Sequence, residues 1–185
     1  MADRITQWVG DHHLGKCRAV GVVADGDYQV LQVEAPAVPA TEMRQAAGWR
    51  VRDLLDFPLD QAAIDTFPPP DASQRGQPNV NVVVARRALV LERIEELTGA
   101  GLALEAIDIP ELVQRNVSAR LPAMRGGHAL LSLGRADGLI TVYREGEQYL
   151  ARGLDVGLDA LARDDEDAGE SLLLEVQRSF DYFES

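Results

Sequence analysis

The sequence predicts a mixed chain of helices and sheets, of the α+β type, and three observations carry that expectation. Short runs rich in β-branched residues, strongest in Val80-Asn-Val-Val-Val-Ala85, recur between Gly, Pro and Asp turn signals. Longer segments place apolar residues at helical spacing, as in Met43, Ala46, Ala47, Val51, Leu54 and Leu55. The region after Gly127 alternates strand-like pieces with tight turns, the pattern of an antiparallel meander.

Bulk properties set the frame. The 185 residues are 46% hydrophobic, enough for one compact domain or two small lobes. Thirty acidic residues against eighteen basic ones give a net charge of −12. Nucleic-acid binding needs Lys and Arg along phosphates, so this balance speaks against it. Aromatic residues make up 5% of the chain, too few for a base-stacking platform. No apolar run approaches a membrane span, and the first residues lack a signal-peptide pattern. Direct membrane insertion is therefore not expected. The single cysteine, Cys17, cannot form an internal disulfide, which suits a reducing compartment. A buried structural thiol is its expected state.

In chain order, residues 1–10 read as a short helix carrying Ile5, Trp8 and Val9. His12 and His13 fall in a loop. Residues 16–23 and 28–34 read as strands around the Asp25-Gly-Asp27 turn. Pro36 and Pro39 end the second strand. Thr41 is the expected N-cap of a helix over 42–55, which Pro58 stops. A third strand spans 62–67. The proline-rich stretch 68–78 is a loop, and the strand at 80–85 follows it. A helix over 87–100 carries Val90, Leu91, Ile94 and Leu97 on one face. Gly101 sits where a left-handed residue would end it, with Leu102 folding back.

The stretch 102–117 then turns the chain from its first half into its second. A strand over 102–107 runs into a helix at Pro110, a residue favoured in a first helical turn. Asp108 is placed to accept hydrogen bonds from that turn; a catalytic carboxylate is the other reading of it. Strands at 128–133, 139–143 and 148–151 form the meander. A helix starts near Val156 or Gly157. A last helix, from 170 onward, carries Leu173, Leu174, Val176, Phe180 and Phe183 and meets no breaker before Ser185. That ending is expected of a fragment of a longer protein. The acidic run at 163–167 reads as a solvated loop.

The motifs of common chemistries are missing. The sequence has no G-x-x-x-x-G-K-[ST] loop, no G-x-G-x-x-G, no H-E-x-x-H and no G-x-S-x-G. One Cys and three scattered His do not make a zinc site. The stretch Leu131-Ser-Leu-Gly-Arg-Ala-Asp-Gly138 ends a strand in a turn with two glycines. Backbone N–H groups of such a turn can face an anion; a plain hairpin turn is the competing reading.

Several stretches, in order, resemble the PilM-like proteins of type IV pilus machines, and most closely the MshI branch from mannose-sensitive haemagglutinin (MSHA) pilus biogenesis. They are Ala46-Ala-Gly-Trp-Arg-Val-Arg-Asp-Leu-Leu-Asp-Phe-Pro-Leu-Asp60, Val82-Val-Val-Ala-Arg86, Ala100-Gly-Leu-Ala-Leu-Glu-Ala-Ile-Asp-Ile-Pro-Glu-Leu112 and Glu175-Val-Gln-Arg-Ser-Phe-Asp-Tyr-Phe-Glu184. The resemblance covers most of residues 14–185. It implies a fragment of an actin-like ATPase fold, in which two RNase H-like lobes clasp a nucleotide and an α+β module is inserted in the first. Residues 1–26 would be a remnant of the first lobe and 27–105 the inserted module. Residues 106–185 would be a lobe-linking helix and the start of the second lobe.

The same resemblance bears on function. Relatives open with an Asp-Ile-Gly phosphate loop that has no counterpart before Lys16. The second phosphate loop falls on Ser132-Leu-Gly134, where relatives carry Asp-Ile-Gly, and Ser132 cannot serve as the acid that positions Mg²⁺ or water. The implied function is a non-catalytic scaffold without a cofactor in this fragment. It would sit on the cytoplasmic face of the bacterial inner membrane and bind a PilN-like inner-membrane assembly protein. ATP with Mg²⁺, bound or weakly hydrolysed, is the alternative for the full-length parent, with Ser132 and Gly134 at the nucleotide. Trp49, Arg50, Asp53 and Phe57 are the expected partner-docking residues, since Trp and Arg are enriched at interface hot spots; core packing of Phe57 is the plainer reading. Truncated lobes expose apolar surface, so association into a homodimer is a further expectation.

Overall fold

Strand β4 (Asn79–Arg86) is the spine of the first part of the chain. Its residues Val80, Val82 and Val84 alternate inward, and β-branched side chains suit such a half-buried pleated surface. β4 lies between β2 (Tyr28–Glu34) and β3 (Ala62–Phe67), antiparallel to both. Helix α2 (Ala40–Val51) crosses one face, and Ala47, Val51, Ala62, Val80, Val82 and Val84 form one buried cluster. Burying one such valine is worth about 1.5–3 kcal/mol. Gly48 lets α2 approach closely, because a Cβ there would lie 3.0 Å from Ile64 Cδ1.

The computed structural model describes residues 2–69, 79–124, 126–163 and 166–184. Most of the proline-rich loop and part of the acidic run at 163–167 lie outside these residues. The chain divides into two compact units, Met1–Pro110 and Glu111–Ser185.

In the first unit, helix α1 (Ala2–Asp11) precedes β1 (Arg18–Val22). The β2–α2–β3–β4 sheet follows, and α3 (Arg87–Gly99) then leads to β5 (Ala103–Asp108). β1 and β5 form a two-stranded parallel sheet. Gly21 is buried there, and a Cβ would meet the side chains of Ile107 and Leu97. The end of α3 is a Schellman motif. Leu102 N–H donates to the Leu97 carbonyl (3.3 Å) and Gly101 N–H to that of Thr98 (3.0 Å), with Gly101 at φ +88°.

The second unit opens with α4 (Pro110–Ser118, begun at the boundary) and continues into the meander β6 (His128–Leu133), β7 (Gly138–Arg144), β8 (Glu147–Leu154). Glu145 and Gly146 both have positive φ, 55° and 84°, as a two-residue type I′ turn requires. Central strand β7 buries Ile140, Thr141, Val142 and Tyr143. Two hydrogen bonds tie α4 to it. Tyr143 O–H donates to the Glu111 carbonyl (2.7 Å) and Thr141 O–H to Gln114 Oε1 (2.8 Å). His128 stacks on Tyr143 at 5.1 Å. Helices α5 (Leu158–Leu161) and α6 (Glu166–Glu184) complete the unit.

Several expectations need correction. Thr41 does not cap α2. The helix begins at Ala40, and the preceding turn is closed by the Glu42 N–H donating to the Pro39 carbonyl (2.9 Å). α2 also ends at Val51, four residues early. A short 3₁₀ turn, Arg52–Leu54, redirects the chain so that Leu55 and Phe57 pack on the core while Leu54 stays exposed. Cys17 is exposed, because it sits in the turn before β1 and not within a covered sheet. α6 begins at Glu166, ahead of residue 170, and its Leu173, Leu174 and Phe180 are exposed. Its inward face is Leu172, Val176, Ser179 and Phe183.

Candidate functional site

The predicted docking residues lie on α2 and the turn after it, and they divide into two groups. Trp49 is 59% exposed, although aromatic side chains usually bury most of their surface. The Arg52 guanidinium lies 5.9 Å from the centre of its ring and pairs with Asp53 at 2.9 Å. The hydrogen bond and charge of Asp53 hold the Arg52 guanidinium above its usual range. All three side chains are exposed, so the pair contributes little to stability and mainly orients Arg52. Arg50 is exposed beside them.

Phe57 is half-buried against the α2–sheet core. Arg86, from the end of β4, stacks 4.3 Å above its ring and pairs with Asp56 at 3.1 Å. Phe57 thus belongs to a covered corner, and Trp49 belongs to an open face.

That open face borders a groove of about 540 Å³ between α2 and β3. Arg44, Gln45, Gly48 and Trp49 form one wall, at the i, i+1, i+4, i+5 spacing that places residues on one side of a helix. Ala62, Ala63 and Ile64 of β3 form the floor, with Leu59 and Arg87 beside it. The Arg87 guanidinium donates to the Ala62 carbonyl at 3.2 Å. Arg44 and Arg87 were missed by sequence reasoning. The helical spacing of Arg44 from Gly48 was a usable signal; the meeting of Arg87 with β3 depends on strand pairing and left none.

Ser132 and Gly134 belong to the second unit, and both are exposed. Ser132 stands opposite Leu139 in the β6–β7 pair. Gly134 N–H donates to the Asp137 carbonyl (2.8 Å), which closes the turn. The turn's carbonyls are used as well. Leu158 N–H donates to that of Gly134 and Asp159 N–H to that of Arg135, both at 2.9 Å. Asp108 accepts the Ile109 N–H at 2.9 Å, one residue before α4 begins. It therefore fixes the entry to the helix and does not reach into its first turn. Among the described residues no three His, Cys, Asp or Glu side chains are placed to hold a metal ion. Among them, too, no helix is long and apolar enough to cross a membrane.

Among the described residues these elements form three small sheets in two units, a mixed α/β protein. Its fold is that of a PilM solved in a "PilM-PilN type IV pilus biogenesis complex", matched over 99% of this chain at a TM-score of 0.76 and 22% identity. The cytoplasmic domain of EpsL, described as an inner membrane component of the type II secretion system of Vibrio cholerae, matches over 83% of the chain at a TM-score of 0.55 and 15% identity. The chain spans 63% of the first of these structures and 56% of the second. The expected fold class, mixed helices and sheets, stands on the first match. No family model and no curated protein matches.

Proposed function

We propose that this chain is a scaffold component of a type IV pilus assembly machine of the MSHA kind, without a catalytic role, and that it binds a PilN-like inner-membrane protein. The observation that carries this reading is the likeness of nearly the whole chain to PilM in a complex with PilN. The exposed Trp49 beside Arg50 and Arg52 supports it, as a group of hot-spot residue types left open to solvent. The protein would act in the cytoplasm, at the periphery of the inner membrane, holding its partner in place for the assembly motor. Residues 1–26 and 27–105 would serve as lobe remnant and inserted module, as the resemblance implies.

Two features support the absence of catalysis. A hydroxyl stands at Ser132, where the resemblance implies an acid. The Gly134 N–H, a donor that an open phosphate cradle would need, is spent on Asp137.

The test is isothermal titration of the chain with the cytoplasmic segment of the PilN-like protein. Trp49→Ala and Arg50→Ala should each weaken binding tenfold or more while leaving the melting temperature unchanged. Unchanged binding in both variants would refute the docking assignment. Melting with ATP and Mg²⁺ tests the non-catalytic half: a nucleotide-dependent rise in melting temperature would overturn it.

A further inference from the structure

Among the described residues strand β3 is an edge strand, since the sheet order β2–β4–β3 pairs it on one side alone. Strand alternation sends every second residue's N–H and C=O toward β4 and the others off the sheet. Two contacts identify the outward set. The Ala62 carbonyl is taken by the Arg87 guanidinium, and the Thr66 N–H by the Asp65 carboxylate at 2.8 Å. Residues 62, 64 and 66 therefore point outward. Their two ends are closed by side chains, and the N–H and C=O of Ile64 lie between them.

This short open edge is the floor of the groove described above. Trp49 and Arg44 stand over it from α2. In a chain of net charge −12, the groove lining holds two arginines and no carboxylate. Among the described residues Arg44 is in no ion pair. Asp65 guards the far end of the edge, which leaves the positive charge at the Ala62 end.

We propose that the β3 edge takes up an extended acidic segment of the partner protein, which adds as a fourth strand to the β2–β4–β3 sheet. The proposal rests on the scaffold reading for the existence of a partner and adds the mode and chemistry of its binding. Backbone pairing at Ile64 fixes the segment's register. Its alternate side chains enter the groove beneath Trp49, and a carboxylate near the Ala62 end meets Arg44 and Arg87. A second copy of this chain is the poorer occupant, because its own β3 edge carries the same arginines and its net charge is again −12.

The probe is a synthetic peptide of the PilN-like partner's cytoplasmic segment, in its native form and with Asp and Glu replaced by Asn and Gln. Binding of the native peptide should slow hydrogen exchange at the Ile64 amide at least tenfold. Arg44→Glu should weaken binding at least tenfold, and so should the neutral peptide. If the peptide binds, and Trp49→Ala weakens it, but Ile64 exchange is unchanged, strand addition is overturned while the scaffold reading stands. Equal binding of the neutral peptide overturns the acidic chemistry. Protection of Ile64 in a dimer without peptide makes a second copy the occupant and overturns the proposal. No binding by the wild-type chain overturns the scaffold reading with it.

Discussion

Gly157→Ala is the sharpest test of how the turn after β6 is held. Gly157 is buried with φ −119° and ψ −178°, a backbone that alanine adopts freely, so any cost comes from space alone. An added Cβ would lie 2.5 Å from both the Ala136 carbonyl carbon and the Arg135 oxygen. These are backbone atoms, which cannot swing aside as a side-chain end can. The turn and the start of α5 must separate, straining the two 2.9 Å hydrogen bonds from Leu158 and Asp159. Overpacking costs about 1–3 kcal/mol, and each weakened hydrogen bond up to about 1 kcal/mol more. A total near 3 kcal/mol lowers the melting temperature of a chain this size by roughly 6–12 °C. Melting followed by far-UV circular dichroism measures it, and amide exchange of β6–β8 assigns the loss to this unit. Gly153→Ala is the control: nothing lies within 4 Å of its added Cβ, and alanine in a strand is neutral or slightly favourable. A Gly157→Ala melting temperature within 1 °C of wild type would refute the packing argument.

Three further outcomes follow from single residues. Burial pushes the Tyr143 hydroxyl up to about 12 from its usual 10. The folded state then holds this proton longer than the unfolded one, so its contribution, roughly 2–3 kcal/mol, is full below pH 10 and lost between pH 10 and 12. Absorbance titration at alkaline pH should show a late ionisation step that Tyr143→Phe removes. Gly101→Ala places a Cβ at φ +88° and should cost about 1–2 kcal/mol in urea unfolding, with equal stability refuting the helix-end assignment. Cys17 should react with a water-soluble thiol reagent in the native protein at the rate of an exposed thiol; protection until unfolding would contradict its placement.

Most of the elements were legible because their signals are local. Valines 80, 82 and 84 alternate, so β4 announces itself as a strand with one buried face. Gly101 marks the end of α3 through a conformation that few other residues tolerate, and Glu145-Gly146 marks a hairpin. What the sequence hid depends on distant pairing. Cys17 looks like a strand thiol until β1 is seen to begin at Arg18 and, among the described residues, to pair with β5 alone. The apolar residues of α6 suggest one buried stripe, yet Leu173 and Leu174 point away from Leu172 and Val176. The site was legible in the same proportion. Trp49 was found from its own type and place on a helix; its groove needs β3 and Arg87, whose meeting with α2 no local pattern encodes.

The pairing of Tyr28 with Ala85 brings together two points fifty-seven residues apart. Everything between them, strands β2 to β4 with helix α2, leaves the chain and returns at one place. Such a segment behaves as a closed loop within its host. Lengthening or replacing it alters the host's closure entropy only logarithmically, and the β1–β5 pairing can form once the loop has folded and drawn its ends together. The segment should therefore survive transplantation between hosts, and its removal with a short Gly-Ser splice should leave β1 and β5 free to meet.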